Sequence, residues 1–152
     1  MPIFGGIRAD ILEYLLEIAE IVSVPAGQYF FREQDRGNSM YVLEKGEVSV
    51  VKSWQGQDYP LTRFHEGDCF GEMSLIDLGP RTASVLAIED CSAIKLSNGN
   101  ILKIYQKDLE QFTLIQMNIG REISRRLRHM DEAMFQERVD AHRIPYYPEI
   151  IA

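Results

Sequence analysis

The chain has 152 residues, 45% of them hydrophobic, enough for one well-buried core, so a single domain is the expectation. Lys and Arg number 16 against 23 Asp and Glu, and the net charge of -7 offers no general attraction to DNA or to an acidic membrane surface. No apolar run reaches the roughly 18 residues a bilayer span needs, and MPIFGGIRAD has no basic segment followed by an apolar core, so a cytoplasmic location is expected.

From Ala9 to Val22 the apolar residues Ile11, Leu12, Leu15, Leu16, Ile18, Ala19 and Val22 recur at helical spacing, with Asp10 placed as an N-cap. Val24-Pro25-Ala26-Gly27 ends this helix. Short segments rich in Val, Ile, Phe and Tyr then follow: Gln28 to Arg32, Met40 to Glu44, Glu47 to Lys52, Tyr59 to His65, Ala83 to Glu89 and Cys91 to Leu96. Glu44-Lys45-Gly46-Glu47 reads as a tight hairpin, Trp54-Gln55-Gly56-Gln57 as a looser one, and Gly67-Asp68 as another turn. These segments predict a mainly β domain: an antiparallel β-roll, of the jelly-roll or cupin-like double-stranded β-helix kind, with an N-terminal helix.

After Leu96 the period returns to 3.6. A short helix is expected from about Asn98 to Tyr105. A long C-terminal helix is expected over Lys107 to Arg138, its stripe running through Leu109, Phe112, Ile115, Ile119, Ile123, Leu127, Met130 and Met134. The domain is therefore bounded at 1–138, with a tail at 139–152. In that tail Pro145 and Pro148 oppose a regular helix.

Cys69 and Cys91 form no CxxC and no Cys/His cluster, so reduced, partly buried thiols are expected. His65, His129 and His142 lack metal-ligand spacing, and no Ser/His/Asp set stands out, so neither a metal nor catalysis is expected.

The stretch FGEMSLIDLGPRTASV, Phe70 to Val85, interrupts the strand pattern. Gly71-Glu72 opens an excursion that Pro80-Arg81 closes, with one helical turn across Met73 to Leu78. The first N–H groups of such a turn lack intrahelical partners and favour an anion. Gly71 leaves room for a ligand, Arg81 supplies a fork suited to phosphate, and Glu72 is able to accept from a hydroxyl. An alternative reading pairs Glu72 with Arg81 as a structural ion pair and has Ser74 and Thr82 capping local turns.

Phe70-Gly71-Glu72-Met73-Ser74-Leu75 with Pro80-Arg81-Thr82-Ala83 resembles the phosphate-binding cassette of cyclic nucleotide-binding domains, the fold shared by bacterial catabolite-activator regulators, cyclic-nucleotide kinases and cyclic-nucleotide-gated channels. Tyr29 to Glu33 and Ser39 to Val48 are similar to that family's early strands and hairpin glycine. Gln34 stands where the family often has a glycine before its aspartate, here Asp35.

The resemblance implies that Glu72 binds the ribose 2′-hydroxyl and Arg81 the cyclic phosphate. The backbone of Gly71, Met73 and Ser74 completes the cradle, and Thr82 contacts phosphate or base. A hydroxyl after the arginine can favour syn guanine, yet related bacterial domains with a hydroxyl there bind adenine nucleotides. The expected ligand is cAMP, with cGMP second.

Arg125, Arg128, His129 and Met130 are candidates for the lid over the base, although Arg121, Arg125 and Arg128 equally read as a solvated stripe. Only about fourteen residues follow Arg138, too few for the helix-turn-helix domain of catabolite-activator regulators. The expectation is a stand-alone cyclic nucleotide sensor acting through a partner protein. It is also expected to form a homodimer through the long helix, with Ile119, Ile123, Leu127, Met130 and Met134 at the seam. The alternative is a dimerisation module with a vestigial pocket.

Overall fold

The computed structural model describes residues 1–141. A 3-10 turn, Pro2–Phe4, leads into α1 (Ala9–Ile18), β1 (Glu20–Val24), β2 (Tyr29–Phe31), β3 (Ser39–Lys45), β4 (Val48–Trp54), β5 (Gln57–Phe64) and β6 (Cys69–Phe70). Then come α2 (Glu72–Asp77), β7 (Ser84–Ala87), β8 (Cys91–Ser97), α3 (Asn98–Lys107) and α4 (Leu109–Asp140). The strands form two antiparallel four-stranded sheets, ordered β1-β8-β3-β6 and β2-β7-β4-β5. This is the expected β-roll, with a helix before it and a long helix after it.

The two-residue period of β3 and β8 explains how one sheet serves two cores. Register pairs Met40 with Leu96 and Val42 with Ile94, and these four side chains face the helices, packing with Ile11 and Leu15 of α1, Ile101 and Ile104 of α3, and Ile115 and Ile119 of α4. The alternating residues Tyr41, Leu43, Cys91 and Ala93 face inward, where they meet Val48, Phe70, Val85 and Ala87 between the sheets. Both cysteines are buried and free.

Several local expectations are corrected. The N-terminal helix stops at Ile18, not Val22, because Glu20–Val24 pairs with β8 in register from Glu20 opposite Lys95 to Val24 opposite Cys91. Ile21, Val22 and Val24 suit a pleated strand, and a partner strand outweighs the weaker helical periodicity at that end. Asp10 lies inside the first turn of α1, where it binds the Arg8 guanidinium; the N-cap position belongs to Arg8.

Gly46 does not close a hairpin. β3 and β4 lie in different sheets, and the turn carries the chain between them. Its φ is 98°, and a Cβ there would stand 2.6 Å from Cys91 Sγ and 2.7 Å from Asp90 O. The β4–β5 turn is tight rather than loose: Gln55 (φ 51°) and Gly56 (φ 75°) both take positive φ, as a two-residue primed turn requires.

α3 starts on a capping box between Ser97 and Asn100. α4 starts at Leu109, not Lys107, because Asp108 accepts from the Gln111 N–H at 3.0 Å and caps the new helix. The prolines and tyrosines of the 142–152 tail lie outside the described residues.

Candidate functional site

α2 is the excursion expected between Gly71 and Pro80. Gly71 precedes it at φ 78°, a left-handed conformation favouring glycine. A Cβ at Gly71 would meet Arg81 Nη1 at 2.8 Å and the Phe31 ring at 3.3 Å, so the missing side chain makes room for Arg81 itself. Leu78 ends the turn at φ 56°, and Leu75 anchors it in the helix-side core.

Of the expected site residues, the structure buries Glu72 (7% exposed), Ser74 and Arg81 (4% exposed), and leaves the side chains of Met73 and Thr82 exposed. Arg81 is held from several sides. Its Nη1 donates to Gly71 O at 2.9 Å and its Nη2 to Ser39 Oγ at 3.2 Å. The backbone on either side is laced to the β2–β3 loop: Arg81 N donates to Asp35 O and Gln34 N to Arg81 O, each at 2.8 Å. Gln34 takes φ 72° there, at the position where the resemblance points to a glycine.

Burial draws the Arg81 pKa below its ordinary value, against the pull of Tyr41, Asp35 and Glu72. Its Nε is buried and has no hydrogen-bond partner. A buried donor without an acceptor costs about 1–3 kcal/mol.

Glu72 does not pair with Arg81. Its carboxylate accepts instead from Arg126 of α4, Nη1 to Oε1 at 2.8 Å. Arg126 also reaches Cys69 O with Nη2, Glu122 Oε1 with Nε at 3.3 Å, and the Phe64 ring, 4.4 Å from its Cζ. One long-helix side chain therefore ties together β6, the cassette helix and the β5 end. Burial pushes the adjacent Cys69 thiol up to about 12, so it stays protonated.

The lid candidates share α4 with Arg126. Arg125, Arg128, His129 and Met130 are exposed on α4, with Arg125 bound to Glu122 at 2.6 Å. Arg126 was not distinguishable from its neighbours by spacing, because four arginines crowd one segment and only the rotation of α4 against the roll selects one. Ser39 and Phe31 were also missed as supports of Arg81; both lie in strands with no polar motif to mark them.

The chain belongs to the cyclic nucleotide-binding domain family, whose signature matches residues 21–108. It is 30% identical over 131 residues to the cyclic AMP receptor protein of Thermus thermophilus, across 86% of this chain and 59% of that protein. It is 29% identical over 104 residues to the cAMP-dependent protein kinase regulatory subunit of Emericella nidulans, across 68% of this chain and 25% of that subunit. The crystal structure of the Thermus thermophilus catabolite activator protein matches with a TM-score of 0.79 at 28% identity, covering 90% of this chain and 62% of that one. The chain thus spans less than two thirds of each of these relatives.

Among the described residues, no helix is long and apolar enough to cross a membrane.

Proposed function

We propose that this chain is a cyclic nucleotide sensor. It binds cAMP in preference to cGMP through Arg81, Glu72, Ser74, Thr82 and the backbone of Gly71 and Met73, and passes occupancy to a partner protein from a cytoplasmic location. The observation that carries this reading is Arg81, a buried guanidinium that has no carboxylate bound to it among the described residues and whose Nε lacks an acceptor. A cyclic phosphate supplies the acceptor and the countercharge together. Glu72, at the first position of α2, supplies a hydroxyl acceptor for the ribose. Nothing in this role makes or breaks a covalent bond, so the chain acts by binding.

Transmission runs through Arg126. A ribose that draws on Glu72 alters the hold of Arg126 on the cassette, and so biases the position of α4; coupling of about 1–3 kcal/mol is usual for such a switch. The output surface is the far part of α4. Leu127, Met130 and Met134 are 57%, 61% and 50% exposed at steps of three and four, the pattern of a seam awaiting a second helix. This supports a homodimer. Ile119 is fully buried in the core of its own chain, and Ile123 packs against that core, so the proposed seam begins at Leu127, later than the sequence suggested.

Calorimetric titration with cAMP and cGMP tests the reading. Saturable binding, tighter for cAMP, is expected. Silence with both nucleotides replaces the sensor with the alternative, a dimerisation module with a vestigial pocket.

A further inference from the structure

We propose that Phe31 and Gly37 are positioning residues for the Arg81 guanidinium, setting where its charge stands for the ligand phosphate. The ligand's identity rests on the nucleotide reading above; the positioning itself does not.

The Cζ of Arg81 lies 4.0 Å from the centroid of the Phe31 ring. That ring is itself held: it tilts 35° against Tyr41 at 5.9 Å and 43° against Phe70 at 6.2 Å, both of which are buried between the sheets. Phe31 therefore offers a fixed π face rather than a mobile one. Gly37, in the loop before β3, closes in from the backbone. A Cβ there would stand 2.4 Å from Arg81 Nε, 2.6 Å from its Cζ and 2.9 Å from Ser74 Cβ. The φ of Gly37 lies outside the left-handed region, so alanine would be excluded by space alone and not by backbone strain.

These contacts complete a cradle whose polar part is Gly71 O and Ser39 Oγ. Two hydrogen bonds alone leave the guanidinium plane free to tilt about the line that joins them. The ring and the missing methyl remove that freedom, so that the unpartnered Nε keeps one direction. An aliphatic side chain at position 31 would preserve apolar burial while withdrawing the π face. Alanine at position 37 would push the guanidinium out of place.

The test uses Phe31→Leu, Phe31→Tyr and Gly37→Ala in the full chain, with two readouts. The first needs no nucleotide: the Nε–H resonance of Arg81, assigned by its loss in Arg81→Ala, is followed by nitrogen-15 NMR. Ring-current displacement of that signal should vanish in Phe31→Leu, persist in Phe31→Tyr, and change in Gly37→Ala.

The second readout is calorimetric titration with cAMP. Phe31→Leu should weaken binding about 5- to 30-fold, and Phe31→Tyr should stay within about twofold of wild type. Gly37→Ala should weaken binding roughly fivefold or more, because a displaced fork loses its directed bonds. Each substitution should add less than about twofold in an Arg81→Ala background, as expected of residues that act through Arg81.

An Arg81 resonance unmoved by both Phe31→Leu and Gly37→Ala overturns the proposal, as do losses that add fully to that of Arg81→Ala. Should Phe31→Leu fail to fold, Gly37→Ala decides. If wild type binds neither nucleotide, the nucleotide reading falls and the resonance still decides the positioning.

Discussion

Replacing Arg126 with methionine probes the joint between the long helix and the cassette. The substitution keeps most of the apolar stem and removes the guanidinium. Among the described residues Arg126 is the one side chain hydrogen-bonded to the Glu72 carboxylate, while Glu122 retains Arg125. The loss therefore falls on Glu72, whose side chain is only 9% exposed. Breaking a buried pair by removing one partner costs about 3–5 kcal/mol when both groups are fully buried. Arg126 is 23% exposed and water has some access, so about 2–4 kcal/mol is expected here.

Urea unfolding followed by far-ultraviolet circular dichroism measures it. At a slope near 2 kcal/mol/M, the midpoint should fall by about 1–2 M with the slope unchanged. Glu72→Gln combined with Arg126→Met should recover about 1–3 kcal/mol of that loss, because the orphaned charge is gone. A single-variant loss below about 0.5 kcal/mol, the range of an ordinary surface change, would refute the view that Arg126 anchors the cassette.

Arg81→Ala should weaken cAMP binding by about 2–5 kcal/mol and Glu72→Ala by about 1–3 kcal/mol, measured by titration; a change within threefold for Arg81→Ala sinks the phosphate assignment. Leu127→Glu should convert a dimer to a monomer in light scattering at micromolar concentration, and a wild-type monomer mass unaffected by the substitution rejects the proposed seam. At the α3–α4 joint, the Gln111 N–H holds the Asp108 carboxylate below its usual range, with Arg8 adding to the effect. That group stabilises the fold above its unfolded pKa of about 3.9, and the stabilisation is lost as pH falls through the lower folded value. The gap in melting temperature between wild type and Asp108→Asn should accordingly be open at pH 6 and narrow towards pH 3; an unchanged gap counts against it. Cys69, with its thiol pushed up to about 12 by burial, should resist iodoacetamide at pH 8.5 until the chain unfolds. Native-state labelling at the rate of a free thiol would show that the helix-side core around Cys69 is open.

Local chemistry was enough to locate the cassette. Gly71, Glu72, Pro80 and Arg81 stand close together in sequence, so the turn that joins them and the residues that need burial are written within a dozen positions. The same holds for the alternating runs of β3, β4 and β8 and for the long period-3.6 stripe of α4, where side-chain periodicity directly states which residues share a face.

Other features depend on partners distant in sequence, and only the tertiary structure decided them. β1 is a strand because β8 lies beside it, some seventy residues on; alone, its residues continue a helical pattern. Gly46 reads as a hairpin until β3 and β4 are seen to enter different sheets. Along α4, Ile119 and Leu127 look alike in sequence, yet the roll covers the first and leaves the second exposed. The partner of Glu72 is the sharpest case. Arg121, Arg125, Arg126 and Arg128 carry the same charge on the same helix, and a residue's angle about a helix axis has meaning only once that helix is packed. Packing turned Arg126 toward Glu72 and so joined the long helix to the cassette.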